Sequence, residues 1–328
     1  MKRRDLLKCA IAAALPALAC RPASAQSKYP ERPIKLLVPF PPGGVNDPVG
    51  RAWAEKVKSL LGTVIVENQG GAGGSIGAAA VARAQPDGYT ILLGSGGAMF
   101  IHPVATIRPT YDPQRDFEPI AILATTGLII AVHPSLPVHS LKELIDYARA
   151  NRGKLSYGSA GIGTVNHVGG ELFKSLTGTA DILHVPYKGA GPALADLLGG
   201  QIPLAFPNVT SQVLALHRSG RLRMLAVTTA QRMGAAPDIP TAEEAGLPGM
   251  IAQNFMGLYV PARTPRAIIE QLAQATQKVA ADADYLKQLN ASGAEPFPDS
   301  TPEKARRIVA DEIARYTPVI KAIGLKLD

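Results

Sequence analysis

Four loops built from glycine and other small residues, at 42–47, 70–75, 94–97 and 158–164, each separate a short apolar run from a stretch with helical spacing. Repetition of strand, glycine loop and helix is the grammar of an α/β sheet. A strand ending on glycine or proline cannot extend its ladder, and the capped helix that follows packs back on the sheet. In the first unit, residues 34–39 read as a buried strand and Pro41-Pro42-Gly43-Gly44 as a loop. Asp47-Pro48 is expected to be an N-cap with proline at the first helical position, and Val49, Trp53, Val57 and Leu60 recur at three- and four-residue steps. A second unit follows at 63–84 with Ser75 as its cap, then a strand at 90–93 and a short helical pattern. The apolar stretch 120–132 suits a buried strand pair, Ser140-Leu141-Lys142-Glu143 is a capping box, and residues 155–173 repeat strand, loop and helix. Strand or helix patterns continue at 182–185, 193–198, 202–206 and 222–227. Thr264-Pro265 and Thr301-Pro302 are expected to cap two last helices, the second kinked at Pro318. The sheets are expected to be parallel.

Residues 1–25 read as an export signal, not as part of the fold. They begin with Lys2-Arg3-Arg4, continue through an uncharged run from Cys9 to Cys20, and end on Ala23-Ser24-Ala25, the small-x-small pattern that precedes cleavage. The run is shorter than the roughly 18–20 apolar residues of a membrane span. The twin arginines also fit export of a folded protein, and Ala17-Leu18-Ala19-Cys20 is a poor lipoprotein site. Both cysteines lie in this segment, so a chain starting at Gln26 carries no thiol. Its five bases and one acid account for half of the net charge of +8, leaving +4 and no basic stripe; with only 1 Trp, 7 Phe and 9 Tyr, a nucleic-acid partner is not expected. The six histidines are scattered without metal-ligand spacing, so neither a metal nor another cofactor is expected. The remaining 303 residues are about twice a ~150-residue domain, which points to two lobes.

A loop that ends in a helix N-terminus offers unpaired N–H groups and a partial positive charge, so it holds an anion without Arg or Lys. Glycine lets the ligand approach that backbone. Enzymatic uses fail on spacing. No G-x-x-x-x-G-K-[ST] or G-x-G-x-x-G is present, and neither Ser95 nor Ser159 sits in G-x-S-x-G, so a hydrolase built on Ser159 with His167 or His184 is the weaker alternative and no enzyme is expected.

From Tyr29 to about Leu325 the chain resembles the Bug-type periplasmic substrate-binding proteins of tripartite tricarboxylate transporters. The resemblance rests on Tyr29-Pro30-Glu31-Arg32-Pro33-Ile34, Val38-Pro39-Phe40-Pro41-Pro42-Gly43-Gly44 with Asp47, Val66-Glu67-Asn68 with Gly71-Ala72-Gly73-Gly74, Pro86-Asp87-Gly88-Tyr89-Thr90, Tyr157-Gly158-Ser159 through Gly163-Thr164, and His184-Val185-Pro186-Tyr187-Lys188-Gly189. It implies a monomeric, type II-like Venus flytrap: two α/β lobes joined by two crossovers and closing over a small carboxylate for membrane permease subunits. A membrane sensor is the alternative partner. Lobe 1 is expected at 26–128, lobe 2 at 129–250, and the return to lobe 1 at 251–328. Carried onto this sequence, Pro42, Gly43, Gly44, Val45 and Asp47 meet the ligand from one lobe and Ser159, Gly161, Gly163 and Thr164 from the other. Gly73, Ser95, Gly96, Ala98, Met99, His167, Pro207 and Asn208 complete the expected set. Asp47 has the alternative role of plain cap. Where family members often carry Thr-His after the third loop, Asn before Pro and Trp before the later Gly, this chain has Ala98-Met99, His102-Pro103 and Phe255-Met256-Gly257. A less polar pocket wall is therefore expected, suited to a carboxylate with an apolar or aromatic body.

Overall fold

In the computed structural model, which describes residues 29–327, the loops alternate with regular elements from β1 (Ile34–Val38) onward. The export signal and both cysteines lie outside the described residues. After β1 come α1 (Asn46–Leu61), β2 (Val64–Asn68), α2 (Ser75–Ala82), β3 (Thr90–Gly94), a wide helical turn at Gly97–Ile101, α3 (His102–Ala105) and β4 (Phe117–Gly127). The chain then passes through β5 (Ile129–Val132), α4 (Leu141–Ala150), β6 (Ser156–Ser159), α5 (Val165–Thr177), β7 (Leu183–Pro186), α6 (Ala190–Leu198), β8 (Leu204–Ala205), α7 (Ser211–Arg218) and β9 (Arg223–Val227). It ends with β10 (Gln253–Pro261), α8 (Arg266–Ala280), α9 (Ala283–Ser292), β11 (Glu295–Pro296) and α10 (Pro302–Ala322).

Two sheets give two lobes. The first has the order β11-β4-β10-β3-β1-β2, the second β7-β6-β8-β5-β9. Neither is wholly parallel. β1 pairs in parallel with β2 and β3, and β6 with β7 and β8, but β10 runs antiparallel to β3 and β4, and β5 antiparallel to β8 and β9. The reason is the crossing: a chain that leaves one sheet and later returns through it enters as a reversed strand.

The two crossings lie side by side. Leu128, between β4 and β5, donates its N–H to Thr228 Oγ1 (3.0 Å), and that hydroxyl donates to Ala252 O (2.6 Å), just ahead of β10. From α10, Arg315 donates to Ile251 O (3.1 Å) and the Tyr316 hydroxyl to Gln253 O (3.2 Å), so the last helix holds the returning segment.

Side-chain caps account for half of the ten helix starts among the described residues. Ser140, Thr164, Thr210, Asp282 and Thr301 accept N–H bonds at the starts of α4, α5, α7, α9 and α10. Three expected caps move. α1 starts at Asn46, so its N-cap is Val45 and Asp47 is already helical; α2 is preceded by Gly74, leaving Ser75 as its first residue; α8 starts after Pro265, with the Thr264 hydroxyl turned to Pro261 O. Asp47 accepts from Asn68 instead, Ser75 is buried as the first residue of α2, and Thr264 bonds back to Pro261 O. Leu60, expected on the buried face of α1, is 40% exposed, and Leu61 takes that place. α10 runs through Pro318 to Ala322. Trp53, fully buried, donates from Nε1 to Thr276 Oγ1 (3.2 Å) and so ties α1 to α8. No helix among the described residues is long and apolar enough to cross a membrane.

Candidate functional site

The glycine loops of the two lobes face one another and touch. A Cβ on Gly73 would lie 2.9 Å from Ile162 O, one on Gly97 3.1 Å from Gly163 O, and one on Gly96 2.6 Å from Val165 Cγ2. Only residues without a side chain permit this approach. Between the loops lies a narrow cavity of about 30 Å³, which shares Phe40, Pro41, Ala160 and Gly189 with a wider groove of about 620 Å³. The first lobe lines the cavity with Phe40, Pro41, Gly44, Val45, Asn46, Ser95, Gly97 and Asn254; the second with Ala160, Thr164, Val165, Asn166, Gly189, Ala190 and Asn208.

Three helices begin at this wall. Asn46, Val165 and Ala190, the first residues of α1, α5 and α6, all line the cavity. The N-caps of α1 and α6, Val45 and Gly189, make no side-chain cap hydrogen bond, while Thr164 caps α5. Each helix end carries roughly half a positive charge and several unpaired N–H groups. Among the described residues no Asp, Glu, Lys, Arg or His lines the cavity, so these ends set its electrostatics.

In the first lobe the loop is braced from the side. Asp47 accepts from Asn68 Nδ2 (2.9 Å) and Arg51 Nε (2.9 Å), and Asn68 Nδ2 also donates to Phe40 O (3.0 Å). The carboxylate thus fixes the loop and is absent from the cavity wall, which corrects the expectation of an N-cap at this position.

The second-lobe loop rests on a buried aromatic and histidine stack. His184 lies between Tyr157 (centroids 4.8 Å apart) and His167 (4.1 Å). Ser159 Oγ is 2.7 Å from His184 Nε2 and accepts from Gly161 N (3.2 Å); Gly163 N donates to His167 Nδ1 (3.2 Å); Thr164 Oγ1 donates to Gly161 O (2.7 Å). Burial lowers His167 to about 4 and His184 to about 3, and the neighbouring ring adds to the shift at His184. Both rings are therefore neutral at pH 7. Behind them the Tyr157 hydroxyl donates to Glu171 Oε1 (2.8 Å), which also pairs with Lys174 (2.9 Å).

Four asparagines reach the cavity wall: Asn46, Asn166, Asn208 and Asn254. Asn254 Oδ1 accepts from Gly96 N (2.8 Å) and Asn166 Nδ2 donates to Phe206 O (2.7 Å). Asn46 Oδ1, Asn208 Oδ1 and Ser95 Oγ are buried without a hydrogen-bond partner. Unpaired buried polar atoms are costly, and three at one wall mark a place meant for a ligand or its bound water.

Of the residues expected from the sequence, Gly44, Val45, Ser95, Thr164 and Asn208 line this cavity. Gly73 and Gly161 line the wider groove beside it, together with Tyr187 and Lys188, and Ser159 and Pro207 line a small recess behind it. Pro42, Gly43, Asp47, Gly96, Gly163 and His167 are not on its wall. Gly43 faces open space, and a Cβ on Gly163 would meet Leu327 Cδ1 at 2.9 Å. Ala98 and Met99 are fully buried in the core, and His102 stacks on Tyr111, so the apolar wall expected from them is not part of the cavity, which this loop lines with Ser95 and Gly97. Sequence reasoning missed Phe40, Pro41, Asn46, Gly97, Ala160, Val165, Asn166, Gly189, Ala190 and Asn254. Counting the first residue of every helix that follows a glycine loop would have found Asn46, Val165 and Ala190. No local signal marks Asn254, which comes from a strand of the returning segment. Among the described residues no group of three or more His, Cys, Asp or Glu could hold a metal ion.

Comparison with known proteins places this arrangement. The model of the family described as "Tripartite tricarboxylate transporter family receptor" matches residues 49–325. Protein BugT of Bordetella pertussis is 36% identical over 312 residues, covering 93% of each chain. The solved structure of periplasmic binding protein BugD is 36% identical with a TM-score of 0.85, covering 91% of this chain and 99% of its own. That of R. palustris Rpa4515 with adipate is 35% identical with a TM-score of 0.86, over 91% and 99%.

Proposed function

We infer, from the premise that this chain belongs to the tripartite tricarboxylate transporter receptor family, that it captures a small carboxylate in the periplasm and presents it to membrane permease subunits. The observation that carries the carboxylate is the convergence of three helix N-termini on a cavity without ionisable side chains. Such a wall holds an anion by backbone N–H groups and helix dipoles, and the adipate of Rpa4515 belongs to the same ligand class. Charge-assisted hydrogen bonds of about 1.5–3 kcal/mol each offset the several kcal/mol of desolvating one carboxylate.

The change of sheet at Leu128 and again before β10 supports lobes at 26–128 with 251–328 and at 129–250, and the Thr228 stitch marks the hinge. Residues 1–25 supply export, and the receptor acts as a monomer. Thermal unfolding against mono-, di- and tricarboxylates tests the reading: a bound acid raises the midpoint, by ~2.7 kcal/mol of stability at 100 times its Kd. No shift with any acid, from protein freed of retained ligand by unfolding and refolding, overturns it.

One observation favours a second reading. Ser159 Oγ and His184 Nε2 are at the distance of a nucleophile and its base. Against a hydrolase, Ser159 is 2% exposed, its oxygen is engaged by Gly161, and no carboxylate among the described residues bonds to His184. Ester turnover lost in Ser159→Ala would establish that reading.

A further inference from the structure

Two of the four cavity asparagines cannot turn over. Asn254 must direct its oxygen at Gly96 N, leaving Nδ2 as the group it can offer the cavity. Asn166 must direct Nδ2 at Phe206 O, leaving Oδ1. Backbone chemistry fixes both orientations, because an N–H cannot donate to an amide nitrogen and a carbonyl cannot accept from an amide oxygen. Asn46 and Asn208 have no such anchor and can present either end. The cavity therefore holds a fixed donor on the first lobe and a fixed acceptor on the second, beside Asn46 (6% exposed) and Ser95 (1% exposed), whose side-chain oxygens have no partner.

We propose that Asn166 and Asn254 determine specificity, so that the cavity selects a carboxylate bearing a hydroxyl group over its unsubstituted or amino-substituted counterpart. This rests on the carboxylate reading above. A bare carboxylate or alkyl chain leaves Asn166 Oδ1 facing an oxygen or nothing, whereas a ligand hydroxyl donates to it and still accepts from Ser95 or a turned amide. An ammonium would also donate, but no acidic side chain lines the wall to neutralise it, Asp47 is engaged by Arg51 and Asn68, and three helix N-termini repel it.

Calorimetry on matched sets, propanoate with lactate and alanine and succinate with malate and aspartate, tests this on the wild-type protein. In at least one set the hydroxy acid is expected to bind about tenfold or more tightly than both relatives, the worth of one well-placed hydrogen bond. Asn166→Leu is expected to bring hydroxy and unsubstituted acids within about threefold of each other while the unsubstituted acid still binds. Equal binding of hydroxy and unsubstituted acids by the wild type, or tighter binding of the amino acid, overturns the proposal and leaves the carboxylate reading intact. Absence of binding by every acid, in these sets and in the wider panel, overturns both. If Asn166→Leu does not fold, the wild-type ratios alone decide.

Discussion

The two loops that close on the cavity share one grammar and are held in opposite ways. The first-lobe loop, 40–46, leaves its helix end uncapped and is braced from outside by Asp47, Asn68 and the half-exposed Arg51. The second-lobe loop, 159–166, caps its helix with Thr164 and rests on neutral rings, His167 buried and His184 partly buried. One is fixed by charges that water can reach, the other by desolvated groups that must stay uncharged. Two surfaces that both offer backbone N–H to an anion can thus have different sensitivities to acid and salt.

The largest effect is expected where the loops meet. In Gly97→Ala the new Cβ would lie 2.7 Å from Gly73 O and 3.1 Å from Gly163 O, with backbone on both sides. Affinity for the bound acid should fall about 100-fold, ~2.7 kcal/mol by calorimetry. Gly43→Ala is the control: nothing lies within 4 Å, and only its φ of +98° resists, so stability falls by ~1 kcal/mol while affinity changes less than about threefold. Equal losses in the two would break the distinction between a loop that meets its partner and one that only turns.

Acid is expected to act next, and through the second lobe. In the unfolded chain a histidine takes up its proton near pH 6.5, but in the fold His167 waits until about 4 and His184 until about 3. Between those values the unfolded state binds more protons, so stability is lost as pH falls from 6.5 towards 4. About 2 kcal/mol for the pair, discounted for the partly exposed His184 ring, should lower Tm by roughly 4–8 °C. His184→Asn should flatten that slope; an unchanged slope would sink the account. The smallest effects are expected from single bracing side chains. Asp47→Ala removes two side-chain bonds and should cost ~1–2 kcal/mol, a loss that shrinks in 1 M salt, whereas the milder loss in Ser159→Ala, ~1 kcal/mol, should not depend on salt.

The alternation of strand, glycine loop and helix was legible because it is written in local chemistry: proline and glycine stop a strand, and Ser140 and Thr301 cap the helices expected of them. Of the caps that failed, Asp47 is drawn to Asn68, Thr264 to Pro261 O, and Ser75 gives way to Gly74. The site was legible in part. Loop residues such as Gly44 and Ser95 follow from their position after a strand, but Ala98 and Met99, three and four residues beyond Ser95, turn into the core because the wide helical turn directs them inward.

By itself the sequence determined the units, their glycine loops and the helix ends that suit an anion, since each depends on residues within a few positions of one another. Only the tertiary structure decided which helix ends share a cavity, that Asp47 braces the loop from outside the wall, and that Asn254 from the returning strand lines the same cavity as Asn166. Those are contacts between residues far apart in the chain, and their polarity is set by backbone groups, Gly96 N and Phe206 O, that no spacing rule connects to them.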